Sequence, residues 1–464
     1  MAKMGKYGIV VGVTAVATAL VAWLLVTIVE RKQEGRQYPL RLTEIAVDEP
    51  DPAKWAESFP RQADGLRMTK QNLGRTKYGG SENYQKLDAN PNLKRLWAGY
   101  PFSIDYREER GHGWAFVDVT ETKRLGDQKP GTCFTCKSAR NPSLLREMGV
   151  AEFYKTPMRD LVTRIRSEGK ELAIGCADCH DGKTMALRIS RPAFVEAMKA
   201  RGIDVTQATR QEMRSYVCGQ CHVEYYFAGE GKYLTFPWAN GLKLDEIEKY
   251  FDDMEFKDWV HAETKAPMLK VQHPEFELWS TGIHARSNVA CADCHMPYTR
   301  EGGVKISDHW VRSPLFNISQ ACQQCHRWSD KELRERVITI QDRTAYLLRK
   351  SEAAILDAID AIKQAMAAGA TDEQLKQARR LHRRAQLRWD FVASENSMGF
   401  HSPQEAARWL GESIDFARQA QIAALRLGRM PRRAASSAGR LRQKAGDASS
   451  PVHRRSAELV AGIK

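Results

Sequence analysis

Ten cysteines constrain this chain more than any other feature, because every one of them belongs to a Cys-x-x-Cys pair. The pairs are Cys133/Cys136, Cys176/Cys179, Cys218/Cys221, Cys291/Cys294 and Cys322/Cys325. In four of them a histidine follows: His180, His222, His295 and His326. In the first, Lys137 follows. Two thiols at this spacing reach the two vinyl groups of one porphyrin, and the adjacent histidine then faces the iron as axial ligand. Four such motifs and one variant, with no cysteine left over, imply five covalently bound haems c.

Other uses of paired cysteines fit less well. Zinc ribbons need two pairs per site, so five pairs leave an orphan, and zinc gives no reason for a histidine after each second cysteine. Disulfide scaffolds belong to short secreted chains, not to 464 residues. A thioredoxin-like motif needs a βαβ context that is absent. The formal net charge of +14 does not indicate a nucleic-acid partner. From Arg426 to Lys464 there are ten Lys/Arg against two Asp/Glu, a local surplus of eight. Five haems would bring roughly ten propionate charges of the opposite sign. No basic face with a known nucleic-acid module is present.

The chain divides by composition. Residues 1–36 contain an uncharged apolar run from Gly8 to Val29, flanked by Lys3 and Lys6 before it and Arg31 and Lys32 after it. It is long enough to span a bilayer and reads as an uncleaved signal-anchor, with a cleaved signal peptide as the rival. Either reading exports the rest of the chain to the periplasmic or extracytoplasmic side. Residues 37–328 hold the pentahaem-binding catalytic region, rich in Gly, Pro and aromatics, with few period-2 runs and so few strands. Residues 329–427 read as long helices. Ser329 and Glu332 make a capping box, Leu333, Val337, Ile340 and Leu347 follow at helical spacing, and Ile355, Ile359, Ile362 and Met366 continue it up to Gly369. Thr371 with Gln374, and Ser402-Pro403 with Glu405, signal two further helix starts. Residues 428–464 read as a basic disordered tail. The expected fold is mainly α: a multihaem cytochrome c fold with little β structure and a C-terminal bundle of long helices, whose apolar surface serves either a dimer interface or an intrachain core.

Lys137 is the informative exception. Lysine binds iron only as a neutral amine, so the metal must displace a proton held with a pKa of about 10.4. An open far side at that iron would make it catalytic, with four conventional haems acting as a wire. Four distal histidines are needed for the other irons. Eight lie outside the motifs: His112, His261, His273, His284, His309, His382, His401 and His453. Spacing cannot choose among them. His453 lies in the tail, and His382, among Arg379, Arg380, Arg383 and Arg384, is expected at the surface.

One CxxCK followed by four CxxCH resembles pentahaem cytochrome c nitrite reductase, the ammonia-forming enzyme. The resemblance runs from about Leu96 to Leu425. It also rests on Arg110-Gly-His112, Thr120-Glu-Thr-Lys-Arg124, Cys221-His-Val-Glu-Tyr225, Lys270-Val-Gln-His273 and Gly399-Phe-His401. It implies a six-electron reduction of nitrite to ammonium at the Lys137 haem, with Arg124, Tyr225 and His273 lining the distal pocket. It implies one calcium ion held by Glu224, the carbonyls of Tyr225 and Lys270, and Gln272, an oxygen-rich shell that suits a hard cation. His112 would ligate the haem of Cys218/Cys221, His284 that of Cys322/Cys325, His309 that of Cys176/Cys179 and His401 that of Cys291/Cys294, leaving His261 out. A homodimer is implied, with a membrane quinol dehydrogenase or a soluble multihaem cytochrome as electron donor. The alternatives are a multihaem electron-transfer cytochrome and a reductase acting mainly on hydroxylamine or sulfite.

Overall fold

Helix ends in this chain are set by short-range side-chain chemistry. Ser329 Oγ accepts the Glu332 N–H at 3.3 Å while the Glu332 carboxylate accepts the Ser329 N–H at 2.9 Å. This reciprocal cap starts a helix of 38 residues, Asp330–Ala367. Gly369, with φ of 92°, lies just past its end. Thr371 and Gln374 repeat the box at the start of Asp372–Ser394. The third long helix, Pro403–Gly428, opens with proline at its first position. Here the expected cap differs: the Ser402 carbonyl accepts the Ala406 N–H, but the buried Ser402 hydroxyl has no hydrogen-bond partner.

The computed structural model describes residues 2–34, 41–71, 73–124, 129–169, 171–301 and 304–428. The basic segment from residue 429 onward, with His453, lies outside the described residues. The N-terminal apolar run forms one helix, α1 (Ala2–Glu34), whose stretch Tyr7–Gln33 is long and apolar enough to cross a membrane and is not buried among the described residues. The C-terminal helices α2 (Asp330–Ala367), α3 (Asp372–Ser394) and α4 (Pro403–Gly428) pack on one another. Ile355, Ile359 and Ile362 are fully buried between them, each worth about 1.5–3 kcal/mol on burial. Leu333 is buried as well, whereas Val337, Ile340, Leu347 and Met366 are half-buried.

Between α1 and α2 the chain makes short helices and, among the described residues, three two-stranded antiparallel hairpins: β1/β2 (Tyr226–Ala228 with Tyr233–Thr235), β3/β4 (Trp259–Val260 with Pro267–Met268) and β5/β6 (Tyr298–Glu301 with Val304–Ser307). The mainly α expectation therefore holds, with little β structure. One core joins this region to the bundle: Leu96, Trp97, Met268 and Val271 pack with Ile355, Trp389 and Trp409.

The structure overturns the surface assignment of His382. It is fully buried: Nδ1 lies 3.2 Å from Thr264 Oγ1, Nε2 lies 3.2 Å from Gln386 Oε1, and the ring packs edge-on against His261 at 5.1 Å. The neighbouring arginines made this face look solvated. Instead Arg379 pairs with Asp372, Arg383 with Asp252 and Arg384 with Glu248.

Candidate haem sites and catalytic pocket

All ten cysteines line one continuous cavity of about 2900 Å³. A pocket for a single small molecule occupies roughly 300–1,000 Å³, so this space suits several large groups side by side. The walls also carry Lys137 and the four motif histidines, together with His112, His284, His309, His401, Arg124, Tyr225 and His273.

Each motif histidine faces one histidine from a distant segment. Ring centres are 6.2 Å apart for His222 and His112, 6.2 Å for His180 and His309, 6.4 Å for His326 and His284, and 6.4 Å for His295 and His401. Two metal–nitrogen bonds of about 2.0 Å, each followed by ~1.1 Å to the ring centre, put two imidazoles on one metal about 6.2 Å apart. The rings thus stand at the separation a bis-histidine iron requires. The pairing matches the one the family resemblance implies.

Local structure explains how the rings are held. Nδ1 of His180, His295 and His309 lies 3.1, 3.2 and 2.7 Å from the carbonyls of Met185, Arg312 and Ser307. His401 Nδ1 lies 2.5 Å from Glu395. For the first three, engaging Nδ1 in this way leaves Nε2 for a metal and fixes the ring plane; the His401 contact with Glu395 lacks hydrogen-bond geometry. Gly111, just before His112, packs so closely that a Cβ would meet the Thr69 carbonyl oxygen, and Gly399, with φ of 76°, turns the chain into His401.

Neighbouring motifs touch. The Cys136 and Cys221 thiols lie beside each other, as do those of Cys218 and Cys291. Groups attached there would be in close succession.

Lys137 has different company. Arg124 and Lys137 both act on the Cys133 thiol. Tyr225 is half-buried beside Cys136, Cys133 and Arg124; desolvation drives its phenol well above the ordinary range, so it stays an O–H donor. Arg124 lies with its guanidinium 4.3 Å from the centre of the Phe102 ring. The preceding turn is pinned by buried Asp105, which accepts the Lys123 N–H at 2.8 Å and the Thr122 hydroxyl at 3.0 Å. His273 is pushed down by burial, with Glu109 and Glu275 opposing and Lys137 adding to the fall. Its Nε2 lies 3.4 Å from Glu109. Burial alone would raise Glu109, but His273, Lys137 and Lys86 outweigh it and hold it well below the usual carboxylate range.

Glu109, Glu275 and Glu395 escaped the sequence reading. Nothing in their spacing distinguishes them from surface acids. Only Glu109's proximity to Arg110-Gly-His112 offered a hint.

Of the four residues expected to hold calcium, Glu224, Lys270 and Gln272 come together outside the cavity, while Tyr225, next to Glu224 in the chain, lines it. Buried Glu224 accepts the Gln272 N–H at 2.6 Å, and the Gln272 amide donates to the Lys270 carbonyl at 3.1 Å. The Lys270 ammonium points away, to Asp390 at 2.9 Å. Asp258 and Glu277 flank the group through the Lys270 and Glu224 amides. Burial pushes Glu224 well up, Asp258 to about 6 and Glu277 to about 8. Three acids destabilised by burial are the surroundings that a hard cation relieves. Among the described residues, no group of three or more His, Cys, Asp or Glu side chains is arranged to hold a metal; a site here would draw on carbonyls and the Gln272 amide.

A mainly helical chain that gathers its CxxC pairs and opposed histidines around one cavity is a c-type cytochrome of the multihaem kind. The cytochrome c552 family model matches residues 51–439, and the chain belongs to that family. It is 44% identical over 390 residues to cytochrome c-552 of Parabacteroides distasonis, covering 82% of this chain and 78% of that one. It is 36% identical to the cytochrome c nitrite reductase subunit NrfA of Nitratidesulfovibrio vulgaris, over 82% of this chain and 80% of that one. The solved cytochrome c nitrite reductase of Desulfovibrio desulfuricans, a catalytic subunit described with two calcium sites, superposes with a TM-score of 0.77. It is 35% identical, with 82% of this chain and 87% of that one covered.

Proposed function

We propose that the protein carries five haems c and one calcium ion, and reduces nitrite to ammonium at the Lys137 site. The observation that carries this reading is the asymmetry of the axial residues. Each motif histidine faces a second histidine, while Lys137 shares its end of the cavity with Arg124, Tyr225 and His273. Relatives named as nitrite reductases support the substrate.

When bound, the haem at Lys137 supplies an electron-delivering Lewis acid. The chain supplies the rest. Arg124, fixed by Phe102 and by the turn on Asp105, offers a positioned cation to an anionic oxygen. Tyr225 offers an O–H donor. His273, beside Glu109, takes and gives protons at Nε2. Nitrogen passes from +3 to −3, so nitrite takes six electrons and eight protons and leaves as ammonium and two waters. Four bis-histidine haems, ligated by His180/His309, His222/His112, His295/His401 and His326/His284, would relay the electrons from a membrane quinol dehydrogenase or a soluble multihaem cytochrome. α1 would tether the 37–328 region and the long-helix region 329–427 to the outer face of the cytoplasmic membrane. The long helices would also form a homodimer interface.

The test is anaerobic mixing of viologen-reduced holoprotein with nitrite, quantifying ammonium against viologen oxidised. Six electrons per nitrite with ammonium as product is the expected result. No turnover in a preparation holding five haems would sink this reading and leave the electron-carrier reading ahead.

A further inference from the structure

The residues between the cysteines of an attachment motif are free to vary, yet in three motifs they converge on one side chain. Arg191 is fully buried. Its Nε donates to the carbonyl of Thr135, inside the first motif, at 2.8 Å. Its Nη2 donates to Asp178, inside the second, at 2.5 Å. Its own backbone N–H donates at 3.1 Å to the side chain of Gln220, inside the third, and Gln220 returns a hydrogen bond to the Asp178 carbonyl at 2.9 Å. Asp178 also caps its own short helix by accepting the Gly175 N–H at 2.7 Å. The guanidinium further acts on the Cys136 and Cys221 thiols.

The device recurs one motif along. Arg214, buried on the helix that leads into Cys218, donates to Asp293 at 2.8 Å. Asp293 stands in the fourth motif where Asp178 stands in the second, and caps its helix through the Ala290 N–H at 2.8 Å. The fifth motif has no counterpart: Gln323 and Gln324 are exposed and bond only to Trp328 and Gln320 nearby. A buried ion pair is costly compared with an apolar filling. One such pair, Arg191–Asp178, with a half-buried second at Arg214–Asp293, at the joins between attachment motifs calls for a role beyond packing.

We propose that Arg191 is the positioning residue of the junction between the first three attachment motifs, fixing their spacing and setting the local charge at which the haems there accept electrons. Reduction potential follows buried charge and hydrogen bonding around the cofactor, and Arg191 with Asp178 supplies both. The inference rests on the haem reading above, so haem is first quantified in the parent protein; a parent without five haems would sink that reading rather than this one.

The experiment is a potentiometric titration of the full-length holoprotein, with Asp178→Asn as the principal variant. Asparagine keeps the fold-capping oxygen but removes the counter-charge of Arg191. At least one haem of the first three motifs is expected to shift to higher potential, while Gln323→Leu in the fifth motif leaves those haems unmoved. A fully loaded Asp178→Asn protein with unchanged potentials would overturn the charge role. If that variant does not load, Arg191→Gln removes the cation instead; at least one of the same haems is then expected to shift to lower potential, and unchanged potentials would overturn the charge role. Arg191→Lys separates spacing from charge: it keeps the cation and loses the fork. Potentials should hold while electron redistribution among the haems, followed by stopped-flow reduction, slows severalfold. Parental redistribution rates would overturn the spacing role.

Discussion

The long-helix bundle and the attachment region solve the problem of a core in opposite ways. In α2–α4 the core is side chain against side chain, with Ile355, Ile359 and Ile362 fully buried. In residues 41–328 the centre is a cavity of about 2900 Å³ walled by cysteines and histidines. Around that space the lining side chains lack the close partners that side chains in the bundle have. The bundle can be specified by its own residues, whereas the region around the cavity would take its filling from the haems proposed above. Hydrophobic periodicity is strong in one and weak in the other for the same reason.

The largest expected effect tests that contrast directly. Protein made without haem attachment should lose ordered structure across 41–328, read as rapid amide exchange there, with slower exchange persisting in α2–α4. Uniform protection of both regions would end the comparison. Next, Arg124→Leu should lower nitrite turnover by about 10²–10³, the usual cost of removing one positioned electrostatic group, with haem content unchanged. Ile359→Ala should do the reverse, costing about 2–5 kcal/mol of stability in denaturant titrations while the haem spectrum and turnover stay parental.

The calcium group offers a pH test. Glu277 and Asp258 are raised by burial to about 8 and about 6, so each contributes stability below its unfolded value, near 4, that is lost as pH rises through the folded one. Chelated protein should therefore weaken from about pH 4 to pH 8 in thermal melts. Calcium should abolish that slope and add about 2.7 kcal/mol at a hundred times its dissociation constant. Smallest is Ser329→Ala, which removes half of the capping box and should cost about 1 kcal/mol, seen as fraying at the start of α2.

What could be read from the sequence follows the same division. The helix starts at Ser329 and Thr371 were legible because a capping box acts over three residues. Ser402 misled, because its hydroxyl is buried away from the donors it was expected to cap. His382 misled more seriously: its arginine neighbours are neutralised by acids from other segments, among them Asp252 and Glu248. No periodicity along α3 reports that.

By itself the sequence made the proposed haem attachment legible, because a CxxC pair and the residue after it would act on one group within five positions. It also determined the long helices, whose bonds and caps are local. Only the tertiary structure decided which histidine faces which motif, that His273, Glu109, Arg124 and Tyr225 share the Lys137 end of the cavity, and that Arg191 ties three motifs together. Those contacts join residues tens to more than a hundred positions apart. They are selected by packing around the cavity, and no spacing rule encodes them.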